Sequence, residues 1–347
     1  MKKVFFIFIL CLIVNVKGIN SSTIVMDINS GRILYQNNAY ERRLIASTTK
    51  IMTFIVAYEY AKDFLDVYVE AGEEILKMYG TSIYLSYHEK MTLRDLLYGM
   101  MLRSGNDAAE VIAYFVGGSE EGFVKLMNKK AAFLGMNNTS FSNPHGLDEE
   151  TQNYSTAYDM ALLSSYASKI DFYNQVTSTK YYKTTTDKKA YSWTNRNKMT
   201  FTYPFFMNGK TGYTPKAGRC LVSSAKKDNL NITIVSLNDY NYYDNHRILY
   251  EEMFNQYKNT ILLSKDAFAS QNKKYYIKKD LVYPLKEDEL KKVNIKFIIN
   301  DDKKEIVVSL KNKEILNEKV YVNEKKNNKS ESDNIIKKII NFFHNLF

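Results

Sequence analysis

The chain has 347 residues, of which 45% are hydrophobic, so wholesale disorder is excluded and two domains are expected. The formal net charge is +10, yet the basic residues are spread along the chain without a dense block containing interleaved aromatic residues. We therefore expect a solvated basic surface and no nucleic-acid partner.

The first residues have the pattern of an export signal. Two lysines follow Met1, and Val4 to Val14 is an unbroken apolar run. Such a run fits the core of a signal peptide and is too short to span a bilayer comfortably. We expect residues 1–18 to be a signal peptide that is removed on export. A buried N-terminal helix or an uncleaved anchor is the alternative.

Cysteine and histidine usage argues against two kinds of stabilising site. After cleavage Cys220 is the remaining cysteine, so no internal disulfide can form, and we interpret it as a buried packing residue. No two of the four histidines lie at metal-ligand spacing. We expect neither a zinc site nor any other metal.

Residues 19–257 mix strand and helix patterns. Two short strands with turn residues between them predict a hairpin near the start. The segment 47–63 predicts a helix that is apolar on nearly every side in its first half, hence one that is buried. The predicted elements are strands at 22–26 and 33–35, helices at 47–63, 92–101, 107–115 and 157–168, strands at 221–224 and 232–237, and a helix at 244–257. Strands at both ends with helices between predict an α+β domain with an antiparallel sheet.

The pattern changes after residue 257. Residues 293–297 alternate between apolar and polar side chains, and a strand pattern resumes at 305–310 after a turn at 300–302. Residues 258–324 are therefore expected to form a small all-β domain.

The last 23 residues differ again. Residues 325–334 are polar and charged, as in a flexible linker. Residues 335–347 place apolar side chains on one helical face and lysine, asparagine and histidine on the other. This pattern predicts an amphipathic helix that lies in a membrane interface and is too short to cross it. Docking of the helix on its own domain is the alternative.

Ser47 and Lys50 lie three residues apart at the start of the predicted buried helix, and therefore on one face of it. A lysine has an ordinary pKa of about 10.4 and cannot act as a base at neutral pH. Burial or a second cation can lower that pKa until Lys50 accepts the proton of Ser47. By itself the Ser-x-x-Lys pattern is weak evidence, because it recurs at Ser223, Ser224 and Ser270.

Two further motifs strengthen the assignment. Ser-Gly-Asn at 104–106 falls between two predicted helices, on a tight turn. Lys-Thr-Gly at 210–212 occurs once, just before the predicted strand pair, where it supplies a second positive charge and a glycine that lets a ligand approach the backbone closely. The order of the three motifs is typical of β-lactamases and penicillin-binding proteins.

The stretches around these motifs resemble the low-molecular-mass penicillin-binding proteins, the serine-type D-alanyl-D-alanine carboxypeptidase family. The resemblance covers the exported part up to about residue 257, at residues 24–35, 41–53, 104–108, 143–147, 154–161, 210–214 and 217–221. It implies a β-lactamase/transpeptidase-like catalytic domain over residues 19–257, followed by the small β domain and the C-terminal amphipathic helix.

The resemblance also implies roles in an acyl-enzyme reaction. Ser47 is the nucleophile that attacks the penultimate D-Ala carbonyl, Lys50 is its base, and Ser104 relays a proton to the departing D-Ala. Asn106 holds the substrate amide. The backbone N–H groups of Ser47 and Tyr213 form the oxyanion hole.

The remaining implied contacts concern the terminal carboxylate of the substrate. Lys210 and Thr211 attract this carboxylate, Gly212 belongs to the same motif, and Arg196 resembles a family arginine close to the carboxylate pocket. Lys210 also lowers the pKa of Lys50 and Ser104. No cofactor is required.

The resemblance implies partners and a location as well. The substrates are peptidoglycan stem peptides that end in D-Ala-D-Ala, and β-lactams are covalent inhibitors. The protein would be exported and bound to the outer face of the cytoplasmic membrane through residues 335–347. A class A β-lactamase, an endopeptidase of the same family and a non-catalytic wall-binding protein remain as alternatives.

Overall fold

The computed structural model describes residues 21–265, 268–270, 273–300 and 303–323. The chain forms two compact units, Met1–Glu251 and Glu252–Phe347. The predicted signal peptide, linker and C-terminal amphipathic helix lie outside the described residues. Among the residues that are described, none belongs to a helix long and apolar enough to cross a membrane.

The first unit alternates between strands and helices. In chain order its elements are β1 (Ser22–Asp27), β2 (Ile33–Asn37), β3 (Arg43–Leu44), α1 (Lys50–Ala61), β4 (Tyr68–Glu70), β5 (Lys90–Thr92), α2 (Leu93–Arg103), α3 (Asn106–Gly117), α4 (Glu120–Phe133), β6 (Tyr154–Ser155), α5 (Ala157–Ala167), α6 (Asp171–Ser178), β7 (Tyr181–Thr185), β8 (Ala190–Thr194), α7 (Met199–Thr202), β9 (Phe206–Thr214), β10 (Gly218–Lys227) and β11 (Leu230–Leu237). Helix α8 (Tyr242–Gln256) runs across the boundary to the second unit.

A five-stranded antiparallel sheet is the main layer of the first unit. Its strand order is β2-β1-β11-β10-β9. Strand β1 pairs with the late strand β11, with Val25 opposite Ile234, so β1 lies in the interior of the sheet next to the central strand β11. Strand β9 is one of the two edge strands, and Lys210 on it lies opposite Val222 on β10. The predicted α+β class with an antiparallel sheet is confirmed.

Helix α1 runs through the core, as its apolar sequence predicts. Residues 50–57 are all buried. Phe54 is fully buried, and its ring centroid lies 5.8 Å from that of Phe172 and 5.2 Å from that of Tyr173. The helix begins later than predicted, because residues 46–49 form a 3-10 turn that carries Ser47.

Side-chain caps determine where several helices begin. Thr92 accepts a hydrogen bond from the N–H of Asp95 at the start of α2, and Thr156 accepts one from Asp159 at the start of α5. Ser119 does the same for Gly122 in α4. Each cap satisfies a backbone N–H that has no partner within its helix.

Parts of the first unit differ from the prediction. Lys-Thr-Gly lies inside strand β9 rather than before a strand, and helices α4 and α6 and the β7–β8 hairpin were not predicted. Strand β9 was missed because it is rich in glycine and polar residues and lacks alternation. An edge strand beside a polar site does not need an apolar face.

The described residues of the second unit after α8 form strands and one 3-10 helix, Glu287–Lys292, which agrees with the predicted small β domain. Its strands are β12 (Lys258–Leu263), β13 (Phe268–Ser270), β14 (Lys273–Tyr276), β15 (Leu281–Leu285), β16 (Val293–Ile299), β17 (Lys304–Leu310), β18 (Lys313–Lys319) and β19 (Tyr321–Asn323). They form the antiparallel groups β12-β15, β13-β14-β19 and β16-β17-β18. Alternate residues of β17, Ile306 and Val308, are fully buried in its core.

The packing of Phe54 predicts its contribution to stability. We expect Phe54→Ala to lower the free energy of unfolding of the first unit by about 3–5 kcal/mol, since a buried aromatic ring leaves a cavity that the core cannot fill. The matched control is Phe133→Ala, because Phe133 is 75% exposed and its loss should cost less than about 1 kcal/mol. Trp193 is the single tryptophan and lies in this unit, so urea titration followed by its fluorescence reports on the first unit. Equal losses in the two variants would contradict the core assignment.

Candidate active site

Ser47 lies on the 3-10 turn before α1, on a backbone with unusual geometry. The preceding residue, Ala46, has a φ of 45°, a left-handed conformation that is uncommon for a residue with a side chain. Gly146 lies directly against this turn, and a Cβ at that position would meet the carbonyl oxygen of Ala46 at 2.0 Å. The 3-10 turn thereby holds Ser47, which is partly exposed, at a fixed point in front of a buried helix.

Lys50 has no exposed surface, and its ammonium group is held by three acceptors. Nζ donates to Ser47 Oγ at 3.2 Å, to Asn106 Oδ1 at 2.7 Å and to the carbonyl oxygen of His145 at 2.6 Å. Burial, followed by the nearby charge of Lys210, holds the pKa of Lys50 well below its usual value. A lysine whose pKa is lowered gives up its proton more readily, and the neutral amine can accept the proton of Ser47.

The Ser-Gly-Asn motif forms the turn between α2 and α3. Ser104 is the C-terminal cap of α2, with a φ of 62°, and Asn106 begins α3. Both side chains are almost fully buried. Nδ2 of Asn106 donates to the carbonyl oxygen of Tyr79 at 2.7 Å, so the amide oxygen is the atom directed at Lys50.

Lys210 projects from the middle of β9 towards Ser104. Its Nζ donates to Ser104 Oγ at 3.0 Å and to the carbonyl oxygen of Thr211 at 2.8 Å. Burial lowers the pKa of Lys210 to about 7, with a smaller contribution from the charge of Arg196. The two motif lysines thus contact the two motif serines, one pair on each side of the site.

Arg196 lies close to this cluster and is exposed to solvent over part of its surface. Its backbone N–H donates to the carbonyl oxygen of Leu102 at 3.0 Å, which ties the segment after β8 to the end of α2. Burial and the neighbouring Arg103 lower the pKa of Arg196. The site therefore concentrates positive charge that an anionic ligand group would offset.

The rest of the Lys-Thr-Gly segment approaches the serine turn closely. A Cβ at position 212 would lie 3.0 Å from the backbone nitrogens of Ser47 and Thr48, so a side chain there would press on the serine turn. Thr211 is partly exposed, and the side chain of Tyr213 is 64% exposed. Within the described residues β9 pairs with β10 on one side alone, so its other edge has no strand partner.

The structure adds residues that the motifs did not reveal. The carbonyl oxygen of His145 is an acceptor for Lys50, and Asp107 accepts from the backbone N–H groups of Ile83 and Leu85. These bonds attach the loop before β5 to the start of α3. His145 lies in the stretch 143–147 that resembles the family. The sequence did not indicate that its carbonyl oxygen accepts from Lys50, because that contact depends on the fold.

A buried carboxyl group lies behind the site. Burial raises the pKa of Glu110 to about 8, and the nearby Glu120 and Glu74 act in the same direction. Burial lowers the pKa of the adjacent His145 to about 3, so its imidazole is neutral at physiological pH. No sequence motif pointed to Glu110.

Cys220 takes no part in these contacts. It is fully buried, and burial raises the pKa of its thiol to about 11. A thiol in this state is inert as a nucleophile at neutral pH, which agrees with its interpretation as a packing residue.

The fold and the contacts bring two serines and two lysines together in one site of an α+β domain with an antiparallel sheet. Comparison with known proteins gives the family. The model of the peptidase S11 family, described as D-alanyl-D-alanine carboxypeptidase, matches residues 15–241. The chain belongs to this family, which confirms the resemblance drawn from the motifs.

Relatives and solved structures agree with this assignment. The chain is 42% identical over 214 residues to the D-alanyl-D-alanine carboxypeptidase DacF of Bacillus subtilis, over 60% of this chain and 54% of that protein. It is 37% identical over 226 residues to DacC of Escherichia coli, over 62% and 55% of the two chains. The match thus spans about half the length of these relatives. The structure of penicillin binding protein 5 from Haemophilus influenzae superposes with a TM-score of 0.75 at 26% identity, covering 87% of this chain and 95% of that one.

The charge coupling between the two lysines makes a pH prediction. We expect Lys210→Gln to raise the pKa of Lys50, because the positive charge that opposes its protonation is removed. A base must be neutral, so the rate at which a penicillin acylates the protein should fall at a higher pH than in the wild type. Stopped-flow acylation rates between pH 5 and pH 9 measure this acid limb, the part of the pH profile where the rate falls as the pH is lowered.

The control for this experiment is Lys226→Gln, which removes an exposed lysine from the neighbouring strand β10. It should leave the acid limb in place. If Lys210→Gln lowers the rate equally at every pH without moving the limb, Lys210 acts in binding alone and the coupling is wrong.

Proposed function

We propose that the protein is a serine-type D-alanyl-D-alanine carboxypeptidase that removes the terminal D-Ala from peptidoglycan stem peptides through an acyl-enzyme on Ser47. The observation that carries the proposal is the buried Lys50, whose Nζ lies 3.2 Å from Ser47 Oγ and has a lowered pKa. Membership of the D-alanyl-D-alanine carboxypeptidase family supports the substrate class.

The first half of the reaction forms an ester. Ser47 Oγ attacks the carbonyl carbon of the penultimate D-Ala as its proton passes to Lys50 Nζ. The backbone N–H groups of Ser47 and Tyr213 stabilise the oxyanion. The C–N bond then breaks, and the departing D-Ala amine takes a proton through Ser104, whose Oγ is held by Lys210 at 3.0 Å.

The second half of the reaction consumes water. Water attacks the ester carbonyl, the Oγ–C bond breaks, and Ser47 regains its proton, so the stem peptide leaves with a new terminal carboxylate. The contacts of the described residues provide two hydroxyls and two lysines for these transfers, and no cofactor is needed for proton balance.

Recognition of the substrate follows from the positive side of the site. Lys210, Thr211 and Arg196 would bind the terminal carboxylate of the peptide, and Asn106 would hold its amide. The free edge of β9 at Gly212 and Tyr213 offers backbone groups to an extended peptide. The same groups would orient a β-lactam, whose carboxylate and strained amide mimic the peptide end.

Location is part of the proposal. Residues 1–18 would direct export and residues 335–347 would hold the enzyme on the outer face of the cytoplasmic membrane, with residues 325–334 as a linker. The substrate class supports export, because peptidoglycan lies outside the cytoplasm. In this scheme residues 19–257 form the catalytic domain and residues 258–324 the β-rich domain.

A penicillin adduct tests the nucleophile. After brief exposure to a penicillin, mass spectrometry of the purified protein should show a stable penicilloyl group on Ser47, and Ser47→Ala should show none. Ser223→Ala is the matched control, since Ser223 also begins a Ser-x-x-Lys pattern but is buried in β10, and this variant should still be acylated.

Other outcomes would replace the proposal. Rapid hydrolysis of the penicillin without a lasting adduct would favour the β-lactamase. Absence of both adduct and turnover in the folded protein would favour a non-catalytic wall-binding protein. Release of D-Ala from a stem pentapeptide, compared with cleavage of a cross-linked dimer, separates the carboxypeptidase from the endopeptidase.

Deletion tests the anchor. Removal of residues 335–347 should release the protein from the membrane fraction while its acylation by penicillin is retained, because the proposed catalytic domain ends at residue 257. The measurement is fractionation of cells followed by labelling with a fluorescent penicillin. Continued membrane association of the truncated protein would show that these residues are not the anchor.

A further inference from the structure

An acidic cavity of about 480 Å³ lies behind the proposed catalytic residues. Its charged lining consists of five glutamates and one lysine, together with a histidine: Glu73, Glu74, Glu110, Glu120, Glu150, Lys77 and His145. Ionised carboxyl groups gathered in this way repel one another, and either protonation or a bound cation relieves the repulsion.

Three of these side chains converge on one point. Glu110 lies on α3, Glu120 in the first turn of α4 and His145 on the loop that follows α4. One potential ligand atom from each lies within 4.8 Å of the others. Such spacing leaves room for an ion between the two carboxylates, because Ca²⁺–oxygen distances are about 2.3–2.6 Å.

Glu110 provides an independent indication of a ligand. Its side chain is 2% exposed, and its Oε1 atom has no hydrogen-bond donor. The Nε2 atom of His145 is 3.3 Å from this oxygen but not in hydrogen-bonding geometry. A buried carboxyl oxygen without a hydrogen-bond donor is costly, and a bound cation would satisfy that oxygen.

The state of His145 indicates the kind of cation. Its Nδ1 accepts a hydrogen bond from the backbone N–H of Leu147 at 3.0 Å, so the neutral ring carries its proton on Nε2. A protonated Nε2 cannot be a metal ligand. The available ligands are therefore carboxylate oxygens. Hard cations prefer such oxygen ligands, whereas softer ions prefer imidazole.

We propose that Glu110 and Glu120 bind a divalent cation with a preference for oxygen ligands, Ca²⁺ being the representative ion, and that water and the other cavity carboxylates complete its coordination. This site differs from the expectation of no metal. Spacing in the sequence could not reveal it, since its ligands come from separate elements.

The site is adjacent to groups that position the proposed catalytic residues. Glu110 follows Asn106 by one turn of α3, and Tyr79, whose carbonyl oxygen accepts from Asn106, lines the cavity. His145, another lining residue, provides the carbonyl oxygen for Lys50. A cation here would tie α3 to α4 behind the acceptors of the Lys50 ammonium group.

Calorimetric titration of the full-length chain with CaCl₂ tests the site without reference to catalysis. We expect one saturable site with a Kd on the order of 10⁻⁴–10⁻³ M, the range of extracellular calcium modules. Glu110→Gln and Glu120→Gln should each weaken binding about tenfold or more, because each removes a charged ligand. The matched control is Glu121→Gln, which removes the next charge on α4, an exposed carboxylate paired with Lys125, and should leave the Kd unchanged.

Several results would overturn the proposal. Absence of saturable binding would do so, as would equal Kd values for the wild type, Glu110→Gln and Glu120→Gln. Tight binding of ZnCl₂ that is lost in His145→Gln would show imidazole ligation in place of the oxygen site. If Glu110→Gln does not fold, Glu120→Gln decides, because Glu120 is only partly buried and its loss leaves the core intact.

Discussion

The interaction on which the site depends is the burial of the Lys50 ammonium group among three oxygen acceptors. A lysine without solvent is tolerated only when its hydrogen bonds are provided from outside its own helix. Here Ser47, Asn106 and the carbonyl oxygen of His145 come from three parts of the chain. Each must be placed within hydrogen-bond distance, so the 3-10 turn, the α2–α3 turn and the loop at residue 145 are mutually constrained.

The second lysine extends the same electrostatic design. Lys210 is also buried, and its charge opposes protonation of Lys50. Two buried lysines in one small site are unfavourable for stability, because their desolvation and repulsion are not offset by a paired carboxylate. The result is a lysine with a lowered pKa beside a region of positive charge. Asp107 and Glu110 act in the opposite direction, because their negative charges raise the pKa of Lys50.

The tight backbone contacts around Ser47 serve this geometry. Gly212 and Gly146 occupy positions where a Cβ would meet the serine turn, and Ala46 adopts a left-handed conformation beside them. The left-handed conformation of Ala46 is unfavourable in free energy, and the packing of the buried helix α1, which follows the turn, compensates for it. The acidic cavity is lined by His145 and Tyr79, whose carbonyl oxygens accept from Lys50 and Asn106. A cation there would therefore affect the residues that position Lys50 and Asn106 and would not contact the reacting atoms.

Sequence alone determined the class of fold, the buried helix, the serine and lysine motifs and the family, because apolar periodicity and short motifs depend on neighbouring residues. It missed β9 as a strand, α4, α6 and the β7–β8 hairpin, whose polar sequences lack clear periodicity. Only the tertiary structure decided that Lys50 has no exposed surface, that a carbonyl at His145 holds it, and that Glu110 meets Glu120. These features join residues distant in the chain, and no local pattern encodes the distance between such atoms.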